Sequence, residues 1–86
     1  MSNTYLLGID NGGTVAKAAL FALNGRELAV ASRKAEVFAP RLGWAEFDAD
    51  RLWHATAAAV RQVIEQSQVA PREIAVVACT GHGNGL

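Results

Sequence analysis

Hydrophobic and polar positions fall into four distinct patterns along this chain. Thr4-Tyr5-Leu6-Leu7-Gly8-Ile9-Asp10 is a short apolar run ending in a carboxylate, and Asn11-Gly12-Gly13 behind it are turn residues. The pattern predicts a strand and a tight turn. From Val15 to Leu23 both faces are apolar except for Lys17: Val15, Ala19, Phe21 and Leu23 share its face, and Ala16, Ala18, Leu20 and Ala22 take the other. This reads as a central strand buried on both sides, although the alanines would also suit a helix. Asn24-Gly25 decides for the strand, because that pair is the strongest short hairpin signal, and Arg26 to Lys34 returns as a more polar, outer strand. Residues 35–47 are irregular, broken by Pro40 and Gly43 and carrying Trp44 and Phe47. Asp48 is placed as an N-cap. From there to Gln68 a stripe of Leu52, Trp53, Thr56, Val60, Val63 and Ile64 lies opposite Asp50, His54, Arg61 and Glu65, the pattern of an amphipathic helix. Pro71 helps to end it, and Ile74 to Thr80 is an uninterrupted apolar run of strand length leading into Gly81-His82-Gly83-Asn84-Gly85-Leu86.

The expected order is strand, strand, strand, helix, strand. A long helix before the last strand suits a right-handed crossover that lays that strand parallel to the first. The fold class is therefore α/β: a mixed sheet of three antiparallel strands plus one parallel strand, with one crossover helix. One helix covers one face, so the other face and one edge are expected to be bare unless further chain or another molecule covers them.

Composition narrows the function classes. The chain has 86 residues, with 8 Lys+Arg against 8 Asp+Glu and a formal net charge of +0, which argues against a nucleic-acid arm or a polybasic membrane anchor. With 51% hydrophobic residues against 8 Gly and 2 Pro, it is too apolar for a disordered segment. No apolar stretch approaches the roughly 20 residues of a membrane-spanning helix, so the protein is expected to be soluble. Met1-Ser2-Asn3-Thr4 lacks the basic start and small-residue cleavage site of a secretory signal, so the chain is expected to begin here and to be cytoplasmic. A single cysteine agrees with a reducing compartment, and Cys79, inside an apolar run, is expected to be buried rather than reactive. The length suffices for one small domain, not for a multi-domain enzyme.

Asp10-Asn11-Gly12-Gly13-Thr14 with Lys17 is the first candidate for chemistry. A carboxylate at a strand end can hold hydrated Mg²⁺, glycines let backbone N–H groups approach phosphate oxygens, and a Thr hydroxyl and a Lys ammonium add to the cradle. The same residues would equally make an ordinary hairpin turn whose Asp and Thr bond their own backbone. Two familiar phosphate loops do not apply, because both open a helix whereas these glycines join two strands.

Gly8-Ile9-Asp10-Asn11-Gly12-Gly13-Thr14 followed by a second strand resembles the first phosphate-binding hairpin of the actin-like ATPase superfamily, whose fold is ribonuclease H-like. Gly43-Trp44-Ala45-Glu46-Phe47-Asp48, with Leu52-Trp53 one turn into the helix, resembles the signature of the FGGY carbohydrate kinases within it. Trp44 and Trp53 also read simply as anchors pinning a loop to the helix. Thr80-Gly81-His82-Gly83-Asn84-Gly85 is similar in place to the segment that contacts sugar hydroxyls in that family, with a pattern nearer the L-xylulose kinase branch than glycerol kinase or D-xylulose kinase. As a bare sequence it also reads as a flexible loop. The ROK hexokinases carry a similar hairpin but lack the Gly-Trp-x-Glu loop, and stand as the alternative.

The resemblance implies that residues 1–86 form the N-terminal part of the first kinase domain, without the second domain. It implies ATP and Mg²⁺ as cofactors, Asp10 for the metal, Gly12, Gly13, Thr14 and Lys17 for the phosphates, and His82 and Asn84 for the sugar, a pentulose such as L-xylulose. No residue matches the general base, and the adenine pocket would lie in the second domain. The 86 residues alone are therefore expected to be inactive, as a truncated half-site ending directly after a buried strand. The reading from a different class is a non-catalytic binding module that self-associates through its bare sheet face or edge.

Overall fold

The computed structural model describes residues 4–12, 15–34 and 49–81. Three strands come first: β1 (Tyr5–Asn11), β2 (Val15–Ala22) and β3 (Glu27–Lys34). The helix α1 (Ala49–Ser67) follows, then a single 3-10 turn over Pro71–Glu73 and the strand β4 (Ile74–Thr80). The sheet order is β3-β2-β1-β4. β2 runs antiparallel to both β1 and β3, and β4 is parallel to β1, the mixed sheet with one crossover that the pattern predicts.

Asn24-Gly25 does turn the chain, but not as a two-residue loop centred on that pair. Such a turn of the mirror-image type requires positive φ at both positions, whereas Gly25 has φ +89° and Asn24 is not in that region. Instead Gly25 N–H donates to the Ala22 carbonyl (3.0 Å), and Ala22 N–H donates to the Arg26 carbonyl (2.9 Å). Gly25 thus closes a turn centred on Leu23-Asn24 and supplies the left-handed residue behind it. Asn24 Oδ1 accepts from the Arg26 amide at 3.0 Å, and the register slips at Leu20/Phe21.

α1 lies across β2 and β3 and reaches β1 only at its margin. Its contact line is Ala55, Thr56, Ala59 and Val63, spaced three or four apart as one helix face requires, and all four are buried. Alanines at 55 and 59 let the helix axis approach a sheet surface that is itself built of Ala16, Ala18, Leu20 and Ala31. Arg33 adds a tether from β3, its Nε and Nη2 donating to Gln62 Oε1 at 3.1 and 2.7 Å. The helix stops at Gln68, which takes φ +59° while its amide donates to the Ile64 carbonyl at 3.0 Å, a left-handed cap made without glycine.

Three expectations are corrected. β2 is buried on one face, not both, because only the Ala16-Ala18-Leu20 side meets α1; the Val15-Lys17-Ala19 side lies on the uncovered face. Trp53 is 65% exposed and lies off the contact line, while Trp44, Glu46 and Asp48 fall outside the described residues. β4 is exposed almost throughout, Cys79 included: among the described residues it has a strand neighbour on one side only, and α1 is displaced towards β3. No helix among the described residues is long and apolar enough to cross a membrane.

Candidate functional site

The parallel pairing of β1 with β4 brings the carboxyl ends of both strands to one end of the sheet, where α/β sheets commonly bind ligands. Side chains alternate across the sheet, so Leu7, Ile9 and Asn11 share the helix side and Gly8 and Asp10 the uncovered side. The registers Asp10↔Lys17 and Asp10↔Thr80 then set Lys17 and Thr80 on either side of the Asp10 carboxylate. Thr80 Oγ1 donates to Asp10 Oδ1 at 2.9 Å. Directly opposed residues of an antiparallel pair stand about 5 Å apart at Cβ, so an anion held by Lys17 would lie within reach of a cation held by Asp10.

A shallow concavity of about 350 Å³ opens here on the uncovered face, with Gly8, Asp10, Lys17, Ala19, Ala78 and Thr80 in its wall. Ile9 also lines it, and Gly8, Ala19 and Ala78 add nothing beyond Cβ. The fold does not demand glycine at position 8 or 12: neither has positive φ, and an added Cβ would come no nearer than 3.8 Å (to Phe21) at Gly8 and 3.5 Å (to the Val15 carbonyl) at Gly12, ordinary contacts in both cases. A glycine that neither backbone conformation nor packing requires leaves space for close approach by another group.

The donor set suits hydrated Mg²⁺. That ion usually keeps several waters and takes one or two carboxylates plus substrate phosphates, not an all-protein cage. Asp10 is one such carboxylate with its second oxygen to offer, and among the described residues no three His, Cys, Asp or Glu gather into a cage.

Of the residues singled out from the sequence, Asp10 and Lys17 come together, and Gly12 lies one residue past the end of β1. The Gly12 amide is already committed, donating to the Val15 carbonyl at 3.0 Å. Its contribution narrows to the missing side chain. Gly13, Thr14, His82 and Asn84 lie outside the described residues. Sequence reasoning missed Thr80 as the partner of Asp10: the β1–β4 register slips between Tyr5 and Leu6, and an end-to-end alignment of the two seven-residue strands would have set Thr80 against Asn11 instead. It also missed the contact of Asn11 with Thr56, whose Oγ1 lies 2.8 Å from Asn11 Oδ1 and 2.8 Å from the Leu52 carbonyl. A threonine on the helix's apolar stripe marks a polar position to be satisfied, but nothing local in the sequence names Asn11 as its partner.

Known proteins bear on this geometry. Residues 5–86 match the family described as the FGGY family of carbohydrate kinases, N-terminal domain. A "Probable L-xylulose kinase" of Pasteurella multocida is 42% identical over 81 residues, covering 94% of this chain and 17% of that relative. A glycerol kinase of Citrifermentans bemidjiense is 38% identical over 76 residues, covering 88% of this chain and 15% of the relative. The crystal structure of xylulose kinase from Rhodospirillum rubrum superimposes with a TM-score of 0.74 at 28% identity, over 90% of this chain and 16% of that one. The chain thus spans about a sixth of the length of these relatives, and its architecture is that of the sugar kinases of the actin-like ATPase fold. Matched along nearly its whole length, with an acidic, basic and hydroxyl group converging beside a glycine turn, the chain belongs to the FGGY family of carbohydrate kinases.

Proposed function

We propose that residues 1–86 are the N-terminal portion of the first domain of a cytoplasmic, ATP-dependent carbohydrate kinase that phosphorylates a sugar hydroxyl. The observation that carries this reading is the convergence of Asp10, Lys17 and Thr80 around a shallow concavity in a chain of this family. Phosphoryl transfer depends mostly on positioning and charge neutralisation. Asp10 would hold Mg²⁺ through its water shell, Lys17 would meet a phosphate oxygen as a point charge, and Gly13 and Thr14 would offer donors from the turn. Gly12, its own amide already engaged, would contribute close access. ATP supplies the transferred group when bound. His82 and Asn84 would bond sugar hydroxyls, and the probable L-xylulose kinase among the relatives favours a pentulose such as L-xylulose over glycerol.

The test is a nuclear magnetic resonance titration of the chain with Mg·ATP. Amide shifts are expected to concentrate at residues 10–17 and 80–84. Shifts centred instead on a second concavity among the described residues, about 400 Å³ at the far end of the sheet beside Tyr5, Asn24 and Arg26, would overturn the assignment.

A second reading, self-association of the 86-residue chain, is favoured by β4. This edge strand has no charge and no proline, and both Val76 and Val77 are more than half exposed. Sedimentation velocity is expected to show dimers or larger species at high concentration, and a single monomeric species there would refute it.

A further inference from the structure

We infer that Thr56 is a positioning residue for the phosphate hairpin, acting from the helix side of the sheet through Asn11. This inference rests on the phosphate reading above and adds a residue to it. Thr56 is the buried polar side chain among the described residues, with Oγ1 2.8 Å from the Asn11 side chain. Asn11 is the last residue of β1 and stands directly opposite Ala16, so this pair is the final rung before the turn. Both halves of the rung are held by α1. Asn11 meets Thr56, and Ala16, fully buried, packs with Ala55 and Leu52.

The neighbouring rung, Asp10 opposite Lys17, points the other way, into the concavity. Fixing the last rung from behind therefore fixes the height and twist at which Asp10, Lys17 and the turn face a ligand. The Thr56 hydroxyl has a single proton and two oxygens at equal distance. With the proton on the Leu52 carbonyl, the Asn11 amide turns its NH₂ towards Thr56, and the contact survives in either arrangement. A valine at 56 keeps the shape, removes both arrangements and leaves the Asn11 side chain without this partner.

The experiment uses the 86-residue chain in three variants: Thr56→Val, Thr56→Ser and, as a packing control, Val63→Ala, a fully buried position remote from the hairpin. Two quantities are read: the dissociation constant for Mg·ATP and the hydrogen exchange of the Gly12 amide, which is bonded across the hairpin to Val15. Thr56→Val is expected to weaken Mg·ATP about fivefold and to speed Gly12 exchange, while Thr56→Ser stays within about twofold of the parent. Val63→Ala is expected to lower the thermal midpoint at least as much without the loss of affinity. The inference is overturned if Thr56→Val leaves both quantities at parental values, or if Val63→Ala reproduces its loss of affinity. If the parent chain alone does not bind Mg·ATP, the affinities are read in a full-length kinase carrying residues 5–86, whose failure to bind would overturn the phosphate reading itself, and Gly12 exchange in Thr56→Val of the 86-residue chain decides whether the clamp exists.

Discussion

Replacing Asp10 by Asn is expected to lower kcat by about 10²- to 10³-fold in a kinase whose matched N-terminal segment has been exchanged for residues 5–86 of this chain. The Pasteurella multocida relative, 42% identical over the segment, is the natural host. Asn is nearly isosteric with Asp and keeps an oxygen for the Thr80 hydroxyl, so the hydrogen bond observed at 2.9 Å has a counterpart in the variant. What it removes is the charge. If that charge holds a hydrated Mg²⁺ against the nucleotide phosphates, the loss falls on the transferring state, and kcat should drop more than KM for the sugar rises. Because Asp10 is exposed, the thermal midpoint should barely move, since surface substitutions typically change stability by less than about 0.5 kcal/mol. Steady-state kinetics and a melting curve on the same preparation check both halves. A kcat within about threefold of the parent chimera would remove Asp10 from the metal role.

The largest effect on stability is expected at Leu20. Its side chain is fully buried at the centre of β2, in one cluster with Leu7, Ala18, Ala31, Ala59 and Val63. Leu20→Ala deletes apolar contacts and leaves a cavity between helix and sheet, at a cost of about 2–5 kcal/mol. In a domain of this size each kcal/mol moves the midpoint by roughly 4–8 °C, so a drop of more than about 10 °C is expected. Val77→Thr, at 55% exposure on β4, should change stability by less than about 0.5 kcal/mol. The pair locates the core. Thermal denaturation in which Val77→Thr costs as much as Leu20→Ala would mean that β4, not the β2–α1 interface, is the packed element.

Period-two patterning and turn residues made the strands legible, because alternation and glycine pairs act locally. The sequence order of elements, the crossover and the parallel placement of β4 all follow from them. Burial was less legible. Ala16 and Ala19 look alike in sequence, yet Ala16 is fully buried under α1 and Ala19 lies on the open face, since coverage depends on where the helix lands. The same cause exposes Cys79 and Val77 in a run that reads as a buried strand. Asp10 and Lys17 could be picked from the sequence because they flank one turn. Thr80 and Thr56 could not, since each joins its partner, Asp10 or Asn11, only through register or packing across 70 and 45 positions of chain.

The central claim is that this sequence opens a working carbohydrate kinase, and the parent chimera tests it most directly. A coupled assay of ADP release would be run with L-xylulose, other ketoses and glycerol, beside the 86-residue chain alone. The account predicts turnover by the chimera, greatest with a pentulose, and background from the chain alone. A chimera that folds yet releases no ADP with any of these acceptors, or robust turnover by the 86 residues unaided, would contradict it.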